Sequence, residues 1–380
     1  MLLLHLSDLH LGKRIGEQSL LPDQEYILQE ILSIVDKNAP DGILIAGDIY
    51  DRTAPSEEAV KLCGGFLSEL AARQLPVFII SGNHDSAVRL SFASDLIDGA
   101  GIHIAPVYDG NIKPFRLSVN GQTAAIYMLP YLKPVTVRAA FPEKAEEIHD
   151  HNDAVRTAID NIAIDPSVCN ILIAHQFVTG ADRSESEEIS VGGMDNVDAS
   201  LFDSFDIVAL GHLHRPQYIK RETLRYCGTP LKYSFSEAND TKSVTLFEIQ
   251  ENKNISVQTV PLTPLRDMRE IKGTYDELTN KHTYENTETE DYLHIILTDE
   301  EDIPDAAGRL RIIYPNLLKL SYDNARTRAG QVPEEAADTK AKDPLALFSE
   351  FYETVNSRPM SEPQSLLVQK LIREIWEEET

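Results

Sequence analysis

The sequence has few cysteines, no long apolar run and a shortage of positive charge. Its three cysteines (Cys63, Cys169 and Cys227) are odd in number and far apart among 380 residues. We therefore predict a protein of the reducing cytoplasm, without a disulfide framework and without a zinc–thiolate site. No stretch approaches the ~20 apolar residues of a membrane span. Residues 1–6 are apolar but carry no basic leader, which predicts that there is no secretory signal.

The charge balance limits the ways in which this protein could contact nucleic acid. Lysine and arginine total 35 against 61 aspartate and glutamate residues, a net charge of -26. Such a deficit argues against a protein that coats DNA through bulk electrostatic attraction. It does not exclude a nuclease, because metal ions and a local basic groove can attract phosphates despite the overall charge.

Short apolar segments alternate with helical patterns over the first 260 residues. The apolar segments, rich in Ile, Leu and Val, are residues 2–6, 42–46, 77–80, 171–174 and 207–210. Helical patterns occupy residues 23–37, 56–73 and 86–98, and Ser56 is placed to cap the second of them. This alternation predicts an α/β fold in which β-sheets are flanked by helices.

Beyond residue 262 the pattern changes. Tyr292–Leu297 and Leu317–Tyr322 predict strands, and residues 303–313 predict a helix, which together indicate a small α+β domain at 263–325. Residues 326–343, rich in Ala, Gly, Pro and charge, predict a linker. Apolar stripes at helical spacing in 344–380 predict two amphipathic helices.

Polar side chains follow each of the five predicted strands at the point where the strand ends. They are Asp8, His10, Asp48, Asn83, His84, His175, His212 and His214. Carboxyl ends of neighbouring strands meet at one crevice, so we expect a single cluster. Carboxylate, imidazole and amide groups without thiolate favour a manganese-type centre over structural zinc. Each motif alone could be a turn or a surface histidine, so this prediction depends on all five occurring together.

These motifs carry a resemblance. Asp-x-His, Gly-Asp-x-x-Asp, Gly-Asn-His-Asp, a later His and Gly-His-x-His resemble the signature of calcineurin-like metallophosphoesterases. Residues 7–12, 209–217 and 226–230, with the tail at 345–352 and 364–379, look like the SbcD family of nuclease subunits. The resemblance implies a sandwich of β-sheets flanked by helices at 1–262, a capping domain at 263–325, a linker at 326–343 and an SbcC-binding helical segment at 344–380.

The resemblance also implies roles for the clustered residues. Two Mn²⁺ ions are implied, with Mg²⁺ or another divalent ion as a possible substitute. One ion is implied for Asp8, His10, Asp48 and His214, and the other for Asp48, Asn83, His175 and His212. His84 would instead stabilise the transition state or protonate the leaving oxygen, and Asp85 would orient its imidazole or serve only as a turn residue. Asp51 stands where archaeal and eukaryotic counterparts have His, so we assign it no catalysis.

The function implied is a subunit of a metal-dependent DNA nuclease that works with the SbcC ATPase in recombination, replication and repair. It would act as a 3'-5' exonuclease on duplex ends and as an endonuclease on single strands and hairpins. The candidate DNA contacts are Lys13, Arg14, Arg52, Arg89 and Arg215, although for any single one of them a solvated charge is the favoured alternative. Two other functions stay open on the same fold: a phosphodiesterase or phosphatase for small molecules or proteins, and a metal-free scaffold.

Partner contacts are expected in two places. The tail residues predicted to contact SbcC are Phe348, Phe351, Tyr352, Leu371 and Ile375. Alternatively, this segment packs on its own chain. The helices at 56–73 and 86–98 would either pair two copies of the chain into a homodimer within a heterotetramer, as the resemblance implies, or pack against the sheet.

Overall fold

The computed structural model describes residues 1–92, 94–187, 195–325, 327, 345, 348–349, 352 and 360–379. Its strands are β1 Leu2–Leu6, β2 Arg14–Ile15, β3 Gln18–Ser19, β4 Gly42–Ala46, β5 Val77–Ile80, β6 Ile102–Ile104, β7 Phe115–Val119, β8 Gln122–Leu129, β9 Cys169–His175, β10 Phe177–Val178, β11 Asn196–Val197, β12 Ile207–Gly211, β13 Gln217–Ile219, β14 Arg221–Tyr226, β15 Ser243–Ile249, β16 Ile255–Pro261, β17 Met268–Gly273, β18 Tyr292–Leu297 and β19 Leu317–Tyr322. The five predicted strands are confirmed as β1, β4, β5, β9 and β12.

Two six-stranded sheets form a sandwich. One has the order β16-β15-β1-β4-β5-β6 and the other β13-β14-β12-β9-β8-β7. In the first sheet β1, β4 and β5 run parallel to one another, and in the second sheet β8, β9 and β12 do. The two sheets share a core of fully buried side chains: Leu3, Leu44, Phe78 and Ile80 from the first sheet, and Ile126, Ile171, Ile173 and Ala209 from the second. This is the α/β sandwich that the sequence and its resemblance predict.

Helices of the described residues cover the outer faces of the two sheets, pack on the third sheet described below, or lie near the C-terminal end. They are α1 Leu21–Asn38, α2 Glu57–Ala72, α3 Ala87–Leu90, α4 Ser94–Ile97, α5 Pro134–Ala140, α6 His151–Asp160, α7 Tyr275–Thr279, α8 Lys281–Tyr284, α9 Ala306–Leu310 and α10 Glu362–Glu379. Short 3-10 helices lie at Asp98–Ala100, Pro142–Glu147, Ala199–Phe202, Phe235–Glu237 and Glu251–Lys253. The apolar faces of α1 and α2 pack on the first sheet, and α5 and α6 pack on the second.

The helix predicted over residues 86–98 is wrong in its length. The segment forms two four-residue helices, α3 and α4, although Ser86 does cap the first by accepting from Arg89 N. Leu90 and Ile97 pack against the core cluster of the first sheet, but Phe92 between them is 82% exposed, so only part of the predicted apolar face has a surface to pack on. A helix gains most of its stability from such packing, which accounts for the break.

A third, three-stranded parallel sheet follows the sandwich, in the order β17-β18-β19. It has its own apolar cluster, built around Leu293, Ile295 and Leu310. A buried carboxylate on α1 joins it to the sandwich: Asp23 Oδ2 accepts from Tyr292 Oη at 2.7 Å and from Arg266 Nη1 at 2.7 Å.

Parts of the C-terminal prediction fall on residues that the structure describes. Phe348 is 41% exposed, and Leu367 and Leu371, both on α10, are 56% and 45% exposed. Phe351 lies outside the described residues. Among the helices described, none is long and apolar enough to cross a bilayer. All three cysteines are buried and free, in agreement with the prediction that they form no disulfide framework.

Candidate metal centre

The predicted ligands converge where strands of the two sheets end. A continuous series of short contacts links the group: Asp8 Oδ1 to His212 N, His212 Nδ1 to Asn83 Oδ1, Asn83 Oδ1 to His175 Nε2, His175 Nε2 to Asp48 Oδ2, Asp48 Oδ2 to His10 Nε2, His10 Nε2 to His214 Nε2, and Asp48 Oδ1 to His84 N. The structure therefore places all eight predicted positions in one crevice. Residues up to 204 apart in the chain become neighbours.

Three side chains surround one half of the crevice. His10 Nε2 lies 3.2 Å from His214 Nε2 and 3.6 Å from Asp48 Oδ2. All three residues are buried. Burial holds the pKa of His10 well below its usual range, with the nearby Asp48 charge opposing that shift. His10 is therefore a neutral imidazole, the form that binds metal ions.

The other half is built around one amide oxygen. Asn83 Oδ1 lies 3.0 Å from both His175 Nε2 and His212 Nδ1. His175 Nδ1 donates to the carbonyl oxygen of Ala46 at 2.8 Å, and since a carbonyl only accepts, that nitrogen carries the ring proton. The remaining nitrogen, Nε2, is 3.3 Å from Asp48 Oδ2. Asp48 thus faces both halves of the crevice.

Glycines allow the two strand ends to approach each other. A Cβ at Gly211 would lie 1.8 Å from the carbonyl oxygen of Ala46, and one at Gly82 would lie 2.1 Å from Asp48 Oδ1. No side chain fits at either place. This close approach brings His175 and His214, which lie at or just after strand ends of the second sheet, next to Asp8 and Asn83, which follow strands of the first.

The backbone at the site is conformationally unusual. Asp8, His10, Asp48 and His212 all have positive φ, between 42° and 104°. Non-glycine residues rarely adopt this region and, when they do, cluster at functional sites. Hydrogen bonds between the strand ends help to fix the conformation, since Asp8 N donates to Gly47 O at 3.0 Å and His10 N to Asp48 O at 2.9 Å.

The two carboxylates differ in their proton affinity. Burial raises the pKa of Asp8 to about 6. Burial also acts to raise the pKa of Asp48, but the adjacent His175 outweighs it and holds the pKa of Asp48 below its usual range. In turn, burial acts to lower the pKa of His175, but the Asp48 carboxylate raises it to about 9. Asp48 is therefore the ionised group at the centre of the cluster.

The arrangement fits divalent cations. Asp8 Oδ2 and His10 Nδ1 are buried and have no hydrogen-bond partner among the described residues. His10 Nε2 and His214 Nε2 lie 3.2 Å apart, and Asn83 Oδ1 lies 3.0 Å from nitrogen atoms of both His175 and His212. Two triads have candidate ligand atoms within 4.8 Å of each other: His10, Asp48 and His84, and Asp8, Asp48 and His175. Carboxylate and imidazole donors without thiolate suit Mn²⁺, Fe²⁺ or Zn²⁺.

His84 and Asp85 take different places in the crevice. His84 Nδ1 lies 3.1 Å from the carbonyl oxygen of Asp51, so Nδ1 donates and Nε2 faces away from this bond. Asp85 is buried and accepts from three backbone amides, those of Ile49, Tyr50 and Gly82. Of the two roles considered for Asp85, these bonds favour the turn residue, because they use its carboxylate to fix the β4 and β5 loops.

Sequence reasoning missed a layer of residues behind His214. Ser186 Oγ lies 2.6 Å from His214 Nδ1, and Glu237, fully buried, lies 2.5 Å from Ser186. Lys242 pairs with Glu237 at 2.6 Å. Glu237 is 23 positions beyond His214, and no motif spacing relates the two, so only the tertiary structure could reveal this contact. Glu187 also belongs to the layer, accepting from His214 N at 2.7 Å.

The five candidate DNA contacts differ in their present partners and exposure. Lys13 pairs with Asp51 at 2.8 Å, and Arg215 pairs with Asp240 at 3.0 Å. Arg89 is exposed and donates to Thr53 O at 3.1 Å, Arg14 donates to Glu17 O, and Arg52 is largely exposed. Lys13 and Arg215 would have to exchange an acidic partner for a phosphate.

Comparisons with known proteins agree with this geometry. Residues 1–216 match the family model for calcineurin-like phosphoesterases, and residues 264–356 match the model SbcD_C, described as the type 5 capsule protein repressor C-terminal domain. The chain is 32% identical over 386 residues to the SbcD subunit of the nuclease SbcCD of Staphylococcus epidermidis, covering 100% of both chains.

Solved structures with a similar arrangement share little sequence with this chain. A dimetal phosphatase from Danio rerio is 12% identical, with 70% of this chain and 98% of that chain covered and a TM-score of 0.42. The calcineurin-like phosphoesterase YfkN from Bacillus subtilis is 13% identical, with 70% and 90% covered and a TM-score of 0.37.

The fold and the matching family model define a hydrolase of the metallophosphoesterase class, which binds divalent metal. The full-length match narrows the class further. The chain belongs to the SbcD family of calcineurin-like phosphoesterases.

Proposed function

We propose that this chain is the nuclease subunit of an SbcCD-type complex and hydrolyses DNA phosphodiester bonds with two Mn²⁺ ions. The observation that carries the proposal is the full-length match to an SbcD subunit together with the donor cluster. Its substrates would be duplex ends, cleaved 3'-5', and single strands and hairpins, cleaved internally. The proposed location is the cytoplasm, which the three free cysteines support.

The ligand sets are part of the proposal. Asp8, His10, Asp48 and His214 would hold one ion, and Asp48, Asn83, His175 and His212 the other. Support comes from the position of Asp48, whose Oδ2 lies 3.6 Å from His10 Nε2 and 3.3 Å from His175 Nε2, one on each side of it. Bound there, two divalent ions would supply Lewis acidity and a fixed positive charge around a phosphodiester.

His84 is proposed to act on the substrate instead of on a metal ion. Its Nδ1 proton is committed to the carbonyl oxygen of Asp51, which leaves Nε2 to hold or give a proton at a phosphodiester oxygen. The same residue also falls within 4.8 Å of ligand atoms on His10 and Asp48. Metal ligation is therefore the competing role that an experiment must exclude.

Phosphate contacts outside the metal ions are assigned to Lys13, Arg14, Arg52, Arg89 and Arg215. Lys13 and Arg52 lie 2.8 and 3.8 Å from the Asp51 carboxylate, and Arg215 follows His214 directly. Such contacts would orient the backbone of the substrate without reading its sequence.

The proposed domain organisation follows the sequence analysis. A nuclease domain spans 1–262, a capping domain 263–325, a linker 326–343 and an SbcC-binding segment 344–380. The exposed leucines of α10 support the last assignment, because an amphipathic helix with an uncovered apolar face suits a partner groove. A homodimer within a heterotetramer is proposed on the resemblance alone.

The test compares substrates and metals directly. The purified chain, with and without SbcC and ATP, is incubated with a hairpin, a blunt duplex and bis-p-nitrophenyl phosphate in Mn²⁺ or in Mg²⁺, and Asp48→Asn serves as the inactive control. Cleavage of both DNA substrates, stimulated by SbcC, supports the proposal. Hydrolysis of bis-p-nitrophenyl phosphate with no DNA cleavage in any mixture would instead identify a phosphodiesterase of small molecules.

A further inference from the structure

The hydroxyl group of Ser186 links His214 by hydrogen bonds to the buried ion pair of Glu237 and Lys242. His214 Nδ1 lies 2.6 Å from Ser186 Oγ, which lies 2.5 Å from Glu237 Oε1. The other carboxylate oxygen, Glu237 Oε2, accepts from Lys242 Nζ at 2.6 Å. Glu237 is fully buried and Lys242 is 5% exposed. A buried charge needs a partner of this kind, so each member of the series depends on the next.

These contacts allow one arrangement of protons. An ionised carboxylate accepts hydrogen bonds and never donates, so Ser186 must give its only hydroxyl proton to Glu237. Ser186 then presents lone pairs to His214, and Nδ1 of His214 must be the donor. Ser184 Oγ, 2.9 Å from Ser186 Oγ, is free to donate either to Ser186 or to Glu187 at 3.2 Å. The ring proton of His214 is therefore on Nδ1.

We propose that Glu237, acting through Ser186, is a positioning residue that holds His214 in the tautomer whose Nε2 lone pair is free for a metal ion. This inference rests on the proposed function, in which His214 is a ligand. The lone pair so fixed faces His10 Nε2, 3.2 Å away, and under the proposed ligand set these two nitrogens would hold the same metal ion.

The same network also fixes the backbone of His214. Glu187 Oε1 accepts from His214 N at 2.7 Å, and Lys242 Nζ donates to His214 O at 2.8 Å. Ring orientation and backbone position are thus set by one set of buried charges. Outer partners of metal-binding histidines commonly change metal affinity by about 10- to 100-fold.

The first test removes the hydroxyl that links the carboxylate to the imidazole. Mn²⁺ is titrated into chelator-stripped full-length chain by calorimetry, for the parent and for Ser186→Ala. We expect one Mn²⁺ site to weaken by about 10- to 100-fold while the other is unchanged. Ser186→Thr keeps a hydroxyl and should restore the affinity.

A matched control is available on the same carboxylate. Ser234 Oγ also bonds Glu237 Oε1, at 3.2 Å, and none of the described contacts joins it to His214. Ser234→Ala should therefore bind Mn²⁺ like the parent. If Mn²⁺ binding weakens equally in Ser234→Ala and Ser186→Ala, the cause is a general loosening of Glu237. That result would overturn the proposed relay from Glu237 through Ser186 to His214.

Glu237→Gln gives a sharper result because it keeps the shape of the side chain but reverses the direction of its hydrogen bond with Ser186. Lys242 can only donate, so the amide oxygen must face it and the amide NH₂ must face Ser186. Ser186 would then donate to His214 Nδ1, and the ring proton would move to Nε2. In ¹⁵N spectra of the metal-free protein, with the His214 signals assigned by their loss in His214→Gln, we expect the Nδ1–H tautomer in the parent and the Nε2–H tautomer in Glu237→Gln.

Two further measurements distinguish the possible outcomes. They are thermal melting of the metal-free variants and Mn²⁺ titration of His214→Ala. A merely structural role for Glu237 would lower the melting temperature but leave the tautomer unchanged, and this result would overturn the inference. If His214→Ala loses one Mn²⁺ while Ser186→Ala and Glu237→Gln bind both, the ligand assignment stands and the relay is wrong. If His214→Ala itself binds both ions like the parent, the proposed ligand set fails and the relay with it.

Discussion

At the scale of single residues, neighbours of similar chemistry have different surroundings in the site. His10 and His84 have rings whose centroids are 4.8 Å apart. His10 is buried beside His214, whereas His84 is half-buried and gives its Nδ1 proton to a backbone carbonyl. Asp48 accepts from the His84 backbone through Oδ1 and faces His10 and His175 through Oδ2. We therefore propose that position in the crevice, more than residue type, decides which group faces a metal ion and which faces the substrate.

This division predicts that two substitutions will separate metal binding from cleavage. Asp48→Asn should lose Mn²⁺ as well as activity, because its carboxylate is the charge shared by both halves of the site. His84→Gln should keep its Mn²⁺ while cleavage falls by ~10²-fold or more, the size of a lost general acid. Elemental analysis of both purified variants, alongside hydrolysis of bis-p-nitrophenyl phosphate, provides the measurement. Loss of Mn²⁺ from His84→Gln would show that His84 is a ligand.

At the scale of elements, the site exists because strand ends of two sheets meet without side chains between them. Gly211 ends β12 where a Cβ would lie 1.8 Å from the carbonyl oxygen of Ala46, the last residue of β4. The Gly211→Ala variant should therefore separate these strands, lower the free energy of unfolding by at least ~2 kcal/mol and weaken Mn²⁺ binding. Chemical denaturation with and without chelator measures both effects.

Gly64 provides the matched control for that variant. It lies in α2, is exposed, and a Cβ there would meet nothing within 4 Å. Gly64→Ala should raise the free energy of unfolding by ~0.5–1 kcal/mol, because alanine loses less backbone entropy in a helix. If both variants behave alike, the close approach at Gly211 is not what holds the strand ends together.

The junction between α1 and the third sheet depends on one buried carboxylate. Asp23 accepts from Tyr292 Oη and from Arg266 Nη1, both at 2.7 Å. Tyr292→Phe removes one of these bonds and should cost ~1–2 kcal/mol, since a buried acceptor loses a donor. Hydrogen exchange should speed up in β17 and β18 and stay unchanged in β4 and β5. Uniform faster exchange over the whole chain would show that the third sheet does not open separately.

The sequence predicted elements and ligands whose signals are local, and missed those that depend on tertiary contacts. A run such as Gly42–Ala46 is apolar because it is buried on both faces, and Asp48 follows it directly, so strand and candidate ligand are found together. The α3–α4 break was missed because an apolar pattern does not show how much of it will be covered: Leu90 and Ile97 pack on the core, whereas Phe92 is 82% exposed. Ser186 and Glu237 were missed because neither belongs to a recognisable sequence pattern, and only folding brings them to His214.

At the scale of the whole molecule, the net charge of -26 opposes a polyanionic substrate. Local contacts near the crevice must therefore be few, and Lys13 and Arg215 already have acidic partners. The slope of log affinity against log salt for duplex DNA should be shallow, at about -0.9 for each phosphate neutralised. Fluorescence anisotropy in Ca²⁺, over a range of salt concentrations, gives the slope. A slope near that of a protein that contacts ten phosphates would indicate a basic surface that is not evident from the net charge.

The C-terminal helix provides a prediction about assembly. Leu367 and Leu371 lie one helical turn apart on α10 and are 56% and 45% exposed. An apolar stripe of this kind is costly in water unless a partner covers it, and interface anchors are commonly worth ~2 kcal/mol or more when truncated. The double variant Leu367→Glu with Leu371→Glu should therefore abolish co-purification with SbcC. Its Mn²⁺ content and hydrolysis of bis-p-nitrophenyl phosphate should match the parent, because every proposed ligand precedes residue 215.

Gln369→Glu adds a charge to the same helix two residues from each leucine, on a different face, and Gln369 is already exposed. This control should co-purify with SbcC like the parent, which would show that the position of the charge on the helix matters. Thermal melting of the chain alone distinguishes docking on SbcC from packing on the same chain. If the double leucine variant melts well below the parent and loses Mn²⁺, α10 stabilises its own chain. If it melts like the parent yet still binds SbcC, the contact with the ATPase lies elsewhere on the molecule.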